Sequence, residues 1–123
     1  MTDLKAEVDL LNDKWGELMR AKDVNGLAEM YTEDCKYMPP NSPVIEGKEG
    51  VKKVYEGFFE AGAADGKLVS NEVGPSGDSH VFMRGVYDVY KADGSELEKG
   101  KMVMIFKRVN GKLLIYIDID NTF

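Results

Sequence analysis

The spacing of apolar residues changes once along this chain of 123 residues, from a helical period in the first half to strand alternation in the second. The first apolar stripe consists of Leu4, Val8, Leu11, Trp15 and Leu18. Separations of four, three, four and three positions place these side chains on one face of an amphipathic helix. We therefore predict a helix over roughly residues 3–21, with Thr2 as its cap.

Two more helices are indicated before the strands begin. A short second helix is predicted after Asp23, which suits its N-cap. The apolar members of this helix are Leu27, Met30 and Tyr31. A third helix is predicted at about residues 48–61, and we expect Gly62, Gly66 and the alanines between them to end it. Its wide apolar face consists of Val51, Val54, Tyr55, Phe58 and Phe59.

Strand patterns occupy most of the remaining sequence. The predicted strands cover residues 35–38, 67–73, 80–91, 101–109 and 112–120. Pro39, Pro40 and Pro43 stop the first strand, because proline cannot donate a ladder hydrogen bond. Asn110-Gly111 is a strong hairpin signal between the last two strands. This order predicts one α+β domain over residues 1–123, with three N-terminal helices packed on one face of a mainly antiparallel sheet.

Charge and composition argue against several classes of partner. The chain has 16 basic and 22 acidic residues, a net charge of −6, and no basic cluster larger than a pair. We therefore expect no nucleic acid and no membrane as a partner. A single cysteine, Cys35, and a polar start favour a cytoplasmic protein. One histidine and the lack of a glycine-rich phosphate loop lead us to expect neither a metal nor a cofactor.

Four segments together carry a likeness to a known family. They are KDVNGLAEMYTEDCKYMPP, IEGKEGVKKVYEGFF, GDSHVFMRGVYDVY and GKMVMIFKRVNGKLLIYIDIDN. In order and spacing the chain resembles the NTF2-like superfamily, and within it the SnoaL-like and DUF4440 group that also contains ketosteroid isomerase. The resemblance implies a cone, in which a curved sheet wraps a long helix around an apolar pocket.

The resemblance also implies where an isomerase would carry its catalytic residues. Ketosteroid isomerases use a tyrosine on the first helix and an aspartate before a proline at the end of the first strand. Those positions fall on Trp15 and Pro39 here. Because indole is not acidic enough to share a proton and proline has no titratable group, we expect the isomerase pair to be absent.

Asp118 and His80 are the candidate catalytic residues. Strand alternation places Tyr116, Asp118 and Asp120 on one face of the last strand. The opposite face would be wholly aliphatic and consists of Leu113, Ile115, Ile117 and Ile119. Asp118 would then be either a solvated strand residue or a carboxylate inside the pocket, where its pKa would be raised. His80 is either a surface residue at the start of its strand or half of a proton-transfer dyad with Asp78 or Asp118.

Soft and aromatic side chains are dense at positions that line the cone in this family. The candidate ligand-binding residues are Trp15, Met19, Tyr31, Tyr37, Met38, Tyr55, Phe58, Phe59, Met102, Met104, Phe106 and Tyr116. Any one of them could simply fill the core. Both faces of strand 80–91 carry aromatic residues, so the pattern does not decide which face lines the pocket.

Three functions remain open from the sequence. The first is a binding protein for a small apolar or aromatic ligand. The second is a cofactor-independent isomerase, cyclase or dehydratase acting on a carbonyl compound, with Asp118 or His80 moving the proton and Tyr116, Tyr37 or Trp15 holding the oxygen. The third is an assembly module. Apolar residues on both sheet faces lead us to expect a homodimer through the sheet in each case.

Overall fold

The computed structural model describes residues 3–123, which form three helices and six strands. The elements are α1 (Leu4–Ala21), α2 (Val24–Glu29), β1 (Tyr31–Met38), β2 (Ile45–Glu46), α3 (Gly47–Glu60), β3 (Ala63–Pro75), β4 (His80–Lys91), β5 (Glu96–Val109) and β6 (Lys112–Thr122). Within these residues no helix combines the length and the apolar character that crossing a membrane requires.

The six strands form one curved sheet in the order β2-β1-β6-β5-β4-β3. Only β1 and β6 run parallel, and every other neighbouring pair is antiparallel. α1 packs along β3, while α3 packs against α2 and β1. The α+β class and the cone-shaped arrangement of helices on a mainly antiparallel sheet are therefore confirmed.

Local capping explains where the first two helices begin. The Asp3 carboxylate accepts a hydrogen bond from the Ala6 backbone N–H at 3.2 Å and caps α1, whereas Thr2 lies outside the described residues. Asp23 caps α2 as predicted, by accepting from the Gly26 N–H at 2.8 Å. Short polar side chains at such positions satisfy backbone donors that the first helical turn leaves free.

Several predicted boundaries were wrong. Tyr31 is not helical but begins β1, because Met30 closes α2 and the chain then joins the sheet beside β6. Gly66 does not end α3; it lies inside β3, which begins at Ala63. β5 begins at Glu96, so the β4–β5 connection is a short turn, and the two-residue strand β2 was not predicted at all.

The expected wholly aliphatic face of β6 does not form. Ile105 is opposite Ile117 and Phe106 is opposite Ile115, which leaves Tyr116 as an extra residue on β6. Such a bulge reverses the side-chain alternation that follows it. As a result Leu113 and Ile115 point into the core before the bulge, and Asp118 and Asp120 point inward after it, whereas Ile117 and Ile119 face outward.

The inner face of β4, which the sequence left undecided, consists of Val81, Met83, Gly85, Tyr87 and Val89. These residues alternate with Phe82, Arg84, Val86, Asp88 and Tyr90 on the outer face. The core that they help to form lies between α1, α3 and the concave side of the sheet. That arrangement leaves a narrow space near the centre of the cone.

Candidate functional site

A small cavity lies inside the cone, between the helices and the concave face of the sheet. Its free interior holds about 20 Å³, and the cleft including its opening to solvent encloses about 350 Å³. An interior of that size accommodates one water-sized group. The cone is thus much more filled than the apolar cup that the resemblance implied.

Aromatic and aliphatic side chains make most of the cavity wall. The aromatic residues are Trp15, Tyr37, Tyr55, Phe58 and Tyr87. The aliphatic and thioether residues are Leu68, Val89, Met102 and Met104. Two carboxylates, Asp118 and Asp120, complete the lining. The described chain contributes no Lys, Arg or His to this wall.

The structure divides the predicted ligand-binding residues into two groups. Those that line the cavity are Trp15, Tyr37, Tyr55, Phe58, Met102 and Met104. Those that do not are Met19, Tyr31, Met38, Phe59, Phe106 and Tyr116. Met19, Tyr31 and Phe106 are buried in the core, because α1, β1 and β5 turn them toward neighbouring side chains rather than toward the free space.

Four lining residues were not proposed from the sequence: Leu68, Tyr87, Val89 and Asp120. Three of them lie on β3 and β4, whose inward faces the alternation did not identify. Asp120 could have been found, since it shares a strand face with Asp118 in the sequence DID. The bulge at Tyr116 decided that both carboxylates turn inward.

A directed chain of hydrogen bonds runs from α1 to Asp118. Trp15 Nε1 donates to Tyr55 Oη at 2.8 Å, and Tyr31 Oη donates to Asp118 Oδ2 at 2.8 Å. The two phenol oxygens of Tyr31 and Tyr55 lie 3.0 Å apart. Because the Tyr31 proton is already engaged with Asp118, Tyr55 donates to Tyr31. Every donor in the chain therefore points toward the carboxylate.

Each buried carboxylate has one oxygen engaged and one oxygen free. Asp118 is only 3% exposed; Tyr31 occupies its Oδ2, while its Oδ1 has no partner. Asp120 is similar, because Tyr37 Oη donates to its Oδ2 at 3.2 Å and its Oδ1 has no partner. An unpaired polar atom in a dry interior is costly, so both free oxygens are sites for a ligand proton, donor or acceptor.

The surroundings of the two carboxyl groups raise their pKa values toward neutral pH. Burial raises the pKa of Asp118 to about 7, and the negative charge of Asp120 adds to the rise, against a lowering by the Tyr31 hydrogen bond. Burial also raises the pKa of Asp120 to about 6, opposed by the Tyr37 hydrogen bond and supported by the charge of Glu98. Groups with pKa values near 7 can exchange protons at physiological pH.

The lining phenols remain protonated. Burial, followed by the Asp118 charge, raises the pKa of Tyr55, and burial and the same charge raise the pKa of Tyr37 well above 10. Tyr87 Oη donates to Glu98 Oε2 at 2.9 Å, and burial and Asp120 raise the pKa of Tyr87 as well. These hydroxyls act as fixed donors rather than as bases.

His80 lies away from this site. It begins β4 on the outer face of the sheet, where its ring contacts the Tyr116 ring at 6.1 Å between centroids and its Nδ1 is 3.2 Å from Ser79 Oγ. The structure therefore does not bring His80 and Asp118 together. Tyr116 also faces outward, beneath the amino groups of Lys36 and Lys107. Among residues 3–123 no group of three His, Cys, Asp or Glu side chains is arranged to hold a metal ion.

The family is established by comparison with known sequences. A model of the SnoaL-like domain matches residues 13–115, so the chain belongs to the SnoaL-like domain family. Asp118 and Asp120 follow the matched segment. Membership of the DUF4440 group stays a prediction, and no curated protein sequence matches the chain significantly.

Solved structures agree with the fold of this family. A ketosteroid isomerase-like protein from Erwinia carotovora atroseptica is 17% identical, with a TM-score of 0.81 over 100% of this chain and 98% of the other. A protein of unknown function with a cystatin-like fold from Nostoc punctiforme is 15% identical, with a TM-score of 0.81 over 100% and 94%. An NTF2-like protein from Novosphingobium aromaticivorans is 13% identical, with a TM-score of 0.76 over 98% and 82%. At these identities the likeness shows the fold alone.

Proposed function

We propose that the protein is a cofactor-independent proton-transfer enzyme, an isomerase, cyclase or dehydratase that acts on a small carbonyl compound. Asp118 is the proton-transfer group. The observation that carries the proposal is the state of this side chain: it is a buried residue of the cavity lining, its Oδ2 accepts a hydrogen bond from Tyr31, and its Oδ1 has no hydrogen-bond partner. A carboxyl in this setting reaches its proton-transfer range near pH 7.

The chemistry that Asp118 supports is the movement of a proton between a substrate and Oδ1. Because Tyr31 already donates to Oδ2, a proton on the neutral carboxyl resides on Oδ1, the oxygen that has no partner. Delivering that proton leaves a carboxylate stabilised by the Tyr31 hydrogen bond. The reverse transfer restores the acid, so the residue returns unchanged after each isomerisation.

The cavity favours a substrate that places a single oxygen-sized group in the free interior. The free interior of about 20 Å³ accepts a carbonyl oxygen, and the aromatic wall suits an apolar remainder. The same volume gives less support to a purely binding protein for a large apolar ligand. Two carboxylates in the lining would also weaken the binding of such a ligand, because an apolar surface offers them no hydrogen bonds in place of water.

The test is hydrogen–deuterium exchange next to a carbonyl group. Two small ketones, 2-butanone and cyclopentanone, are incubated with the protein in D₂O and followed by NMR. The wild-type protein should accelerate exchange, and Asp118→Asn should reduce the enzymatic rate by about 10²–10⁴-fold. Asp88→Asn, on the outer face of β4, is the matched control and should keep the wild-type rate. Unchanged exchange in Asp118→Asn would refute the assignment.

We further propose a homodimer through the outer face of the sheet. Val103 and Ile119 are opposite each other in register and are 39% and 40% exposed, and Phe123 is 70% exposed beside them. A shallow cleft of about 500 Å³ runs across these residues, with Arg84 and Lys101 at its edge. Apolar surface of this kind is normally covered by a partner, and a second copy supplies a matching face.

A further inference from the structure

Two asparagines of this chain are followed directly by glycine. They are Asn25, in α2, and Asn110, in the turn that joins β5 to β6. The side-chain amide of an asparagine can react with the backbone nitrogen of the next residue, and glycine permits the closest approach because it has no Cβ. The two sequences are the same, so the structure around each of them decides which one reacts.

The Asn110-Gly111 turn is open to solvent. Both residues are exposed, and a Cβ atom added to Gly111 would meet no atom beyond its chain neighbours within 4 Å. Within the described residues no acceptor pairs with the Gly111 N–H, and no partner holds the Asn110 carboxamide. The backbone nitrogen and the side-chain amide are therefore both free to approach each other.

The Asn25-Gly26 sequence is held by the start of α2. The Gly26 N–H donates to Asp23 Oδ1 at 2.8 Å, which is the capping bond of this helix. The space beside Gly26 is also filled, because an added Cβ would lie 2.6 Å from Asp23 Oδ2 and 2.8 Å from Leu18 Cδ2. A reaction at Asn25 thus requires the first turn of the helix to open.

We propose that Asn110 is a site of spontaneous deamidation and that α2 protects Asn25 from the same reaction. The Gly111 nitrogen gives its proton to hydroxide, attacks Cγ of Asn110 and closes a succinimide ring. The bond from Cγ to the side-chain nitrogen breaks, and that nitrogen leaves as ammonia with a proton from water. Water then opens the ring at either carbonyl to give aspartate or isoaspartate. The net reaction consumes water, releases ammonia and involves no oxidation or reduction.

The two products differ in their effect on the turn. Aspartate keeps the original main chain, and an aspartate-glycine pair suits the same type of hairpin turn. Isoaspartate instead carries the main chain through Cβ, which adds one carbon atom to the connection between the paired residues Val109 and Lys112. Because loop length sets the register of a hairpin, the longer connection no longer fits the two-residue turn.

A contact that anchors α1 depends on this turn. Arg108 Nη1 donates to the Gly111 carbonyl oxygen at 3.2 Å. The same guanidinium binds both carboxylate oxygens of Glu7 on α1, at 2.7 Å and 3.1 Å. The isoaspartyl turn displaces the Gly111 carbonyl from Arg108, so it weakens the attachment of α1 to the hairpin and lowers the stability of the protein. This inference is independent of the proposed activity, because none of these residues lines the cavity.

The first test is peptide mass spectrometry of the wild-type protein after incubation at pH 8 over several weeks. Conversion of an amide into a carboxyl group increases the mass of the peptide that contains it. The peptide with Asn110 should show this gain at least several-fold faster than the peptide with Asn25, which reacts only when α2 opens. Isomerisation at the Asp65-Gly66 and Asp93-Gly94 sequences leaves the mass unchanged, so it does not interfere.

Three variants show whether local structure controls the reaction. Asn110→Gly removes the amide, keeps a glycine pair that the turn accepts, and should abolish the gain in this segment. Asn25→Ala is the matched control and should leave the rate at Asn110 unchanged. Asp23→Ala frees the Gly26 N–H and should accelerate the reaction at Asn25. No gain at Asn110, or a gain at Asn25 that is as fast in the wild-type protein, overturns the proposal.

The second test measures the consequence for stability. Ion exchange separates the deamidated wild-type protein, which contains both products, from the intact protein. In urea, part of this fraction should unfold at a lower concentration than Asn110→Asp, which has the new charge without the additional carbon atom. Asn110→Asp itself should unfold like the intact protein. Identical unfolding of the deamidated fraction and Asn110→Asp would refute the predicted weakening of the contact between Arg108 and the turn.

Discussion

The Tyr31 hydroxyl donates a 2.8 Å hydrogen bond to Asp118 Oδ2 although the two residues are 87 positions apart in sequence. Tyr31 begins β1 and Asp118 lies in β6, so the parallel pairing of these strands creates the contact. Both side chains are buried. The contact engages Oδ2 of the carboxyl group and leaves Oδ1 without a hydrogen-bond partner.

Removing this hydroxyl should raise the pKa of Asp118. The Tyr31 hydrogen bond favours the charged carboxylate, so Tyr31→Phe removes a contribution that lowers the pKa. Carbon-13 NMR titration of the carboxyl group measures the change. Tyr37→Phe is the matched variant, because it removes the corresponding bond to Asp120 and should raise the pKa of Asp120 instead. Equal effects of the two variants on Asp118 would contradict the pairing of donors and acceptors.

Asp118→Asn should stabilise the protein at alkaline pH. The pKa of Asp118 is raised in the folded state to about 7, so the folded chain binds the proton more tightly than the unfolded chain. The associated stability is present at acid pH and is lost as pH rises through about 7. A tenfold difference in proton affinity corresponds to about 1.4 kcal/mol. After the cost of burying an amide, we expect a net gain on the order of 1–3 kcal/mol at pH 8.

Urea denaturation at pH 5 and pH 8 measures this effect. The gain in unfolding free energy should be larger at pH 8 than at pH 5, because the contribution of Asp118 is lost progressively as pH rises from its unfolded pKa of 3.8 to its folded pKa of about 7. Asp88→Asn, on the outer face of β4, should not reproduce the difference between the two pH values. A destabilised Asp118→Asn protein at pH 8 would show that the buried carboxylate contributes favourable contacts that outweigh its desolvation.

The sequence predicted the order of elements because their local signals are strong. The apolar stripe from Leu4 to Leu18 yields α1, Asp23 caps α2, and Asn110-Gly111 forms the turn between β5 and β6. These features depend on residues close together in the chain. They survive in the structure because local propensity and tertiary packing favour the same conformation there.

The site was less predictable because it depends on the register between distant strands. The extra residue Tyr116 in β6 reverses which side chains face the core, and alternation read from the sequence alone cannot detect it. Tyr31 shows the same limit: its helical spacing from Leu27 fits α2, yet pairing with β6 draws it into β1. The sequence therefore identified Asp118 as a candidate because it carries a carboxyl group, whereas its hydrogen-bond partner could be identified only from the fold.

Phe58 should control how large a molecule can enter the cavity. Its partly buried ring belongs both to the inner cavity and to an outer groove of about 310 Å³ between α3 and β5, where Leu97 and Glu98 lie. Phe58→Ala should connect the two spaces and increase binding of the neutral fluorescent probe N-phenyl-1-naphthylamine at least several-fold. The loss of stability should be smaller than the about 3–5 kcal/mol of a fully buried phenylalanine.

Phe59→Ala is the control for this prediction. Phe59 is the next residue of α3 and also packs against the core, but it does not line the cavity. Its replacement should reduce stability without increasing probe binding. Equal probe binding by both variants would indicate general loosening of α3 instead of a connection at Phe58.

A charge on the outer sheet face should separate the proposed homodimer. Val103 and Ile119 are neighbours in register on β5 and β6, and a lysine at either position would bury an ammonium group against apolar side chains of the second copy. We expect a dimeric mass for the wild-type protein at micromolar concentration by sedimentation equilibrium, and a monomeric mass for Val103→Lys and Ile119→Lys. Leu10→Lys, at a 70% exposed position on α1, is the control and should remain dimeric. A monomeric wild-type protein would refute the interface, and dissociation by Leu10→Lys as well would place the contact on the helices rather than on the sheet.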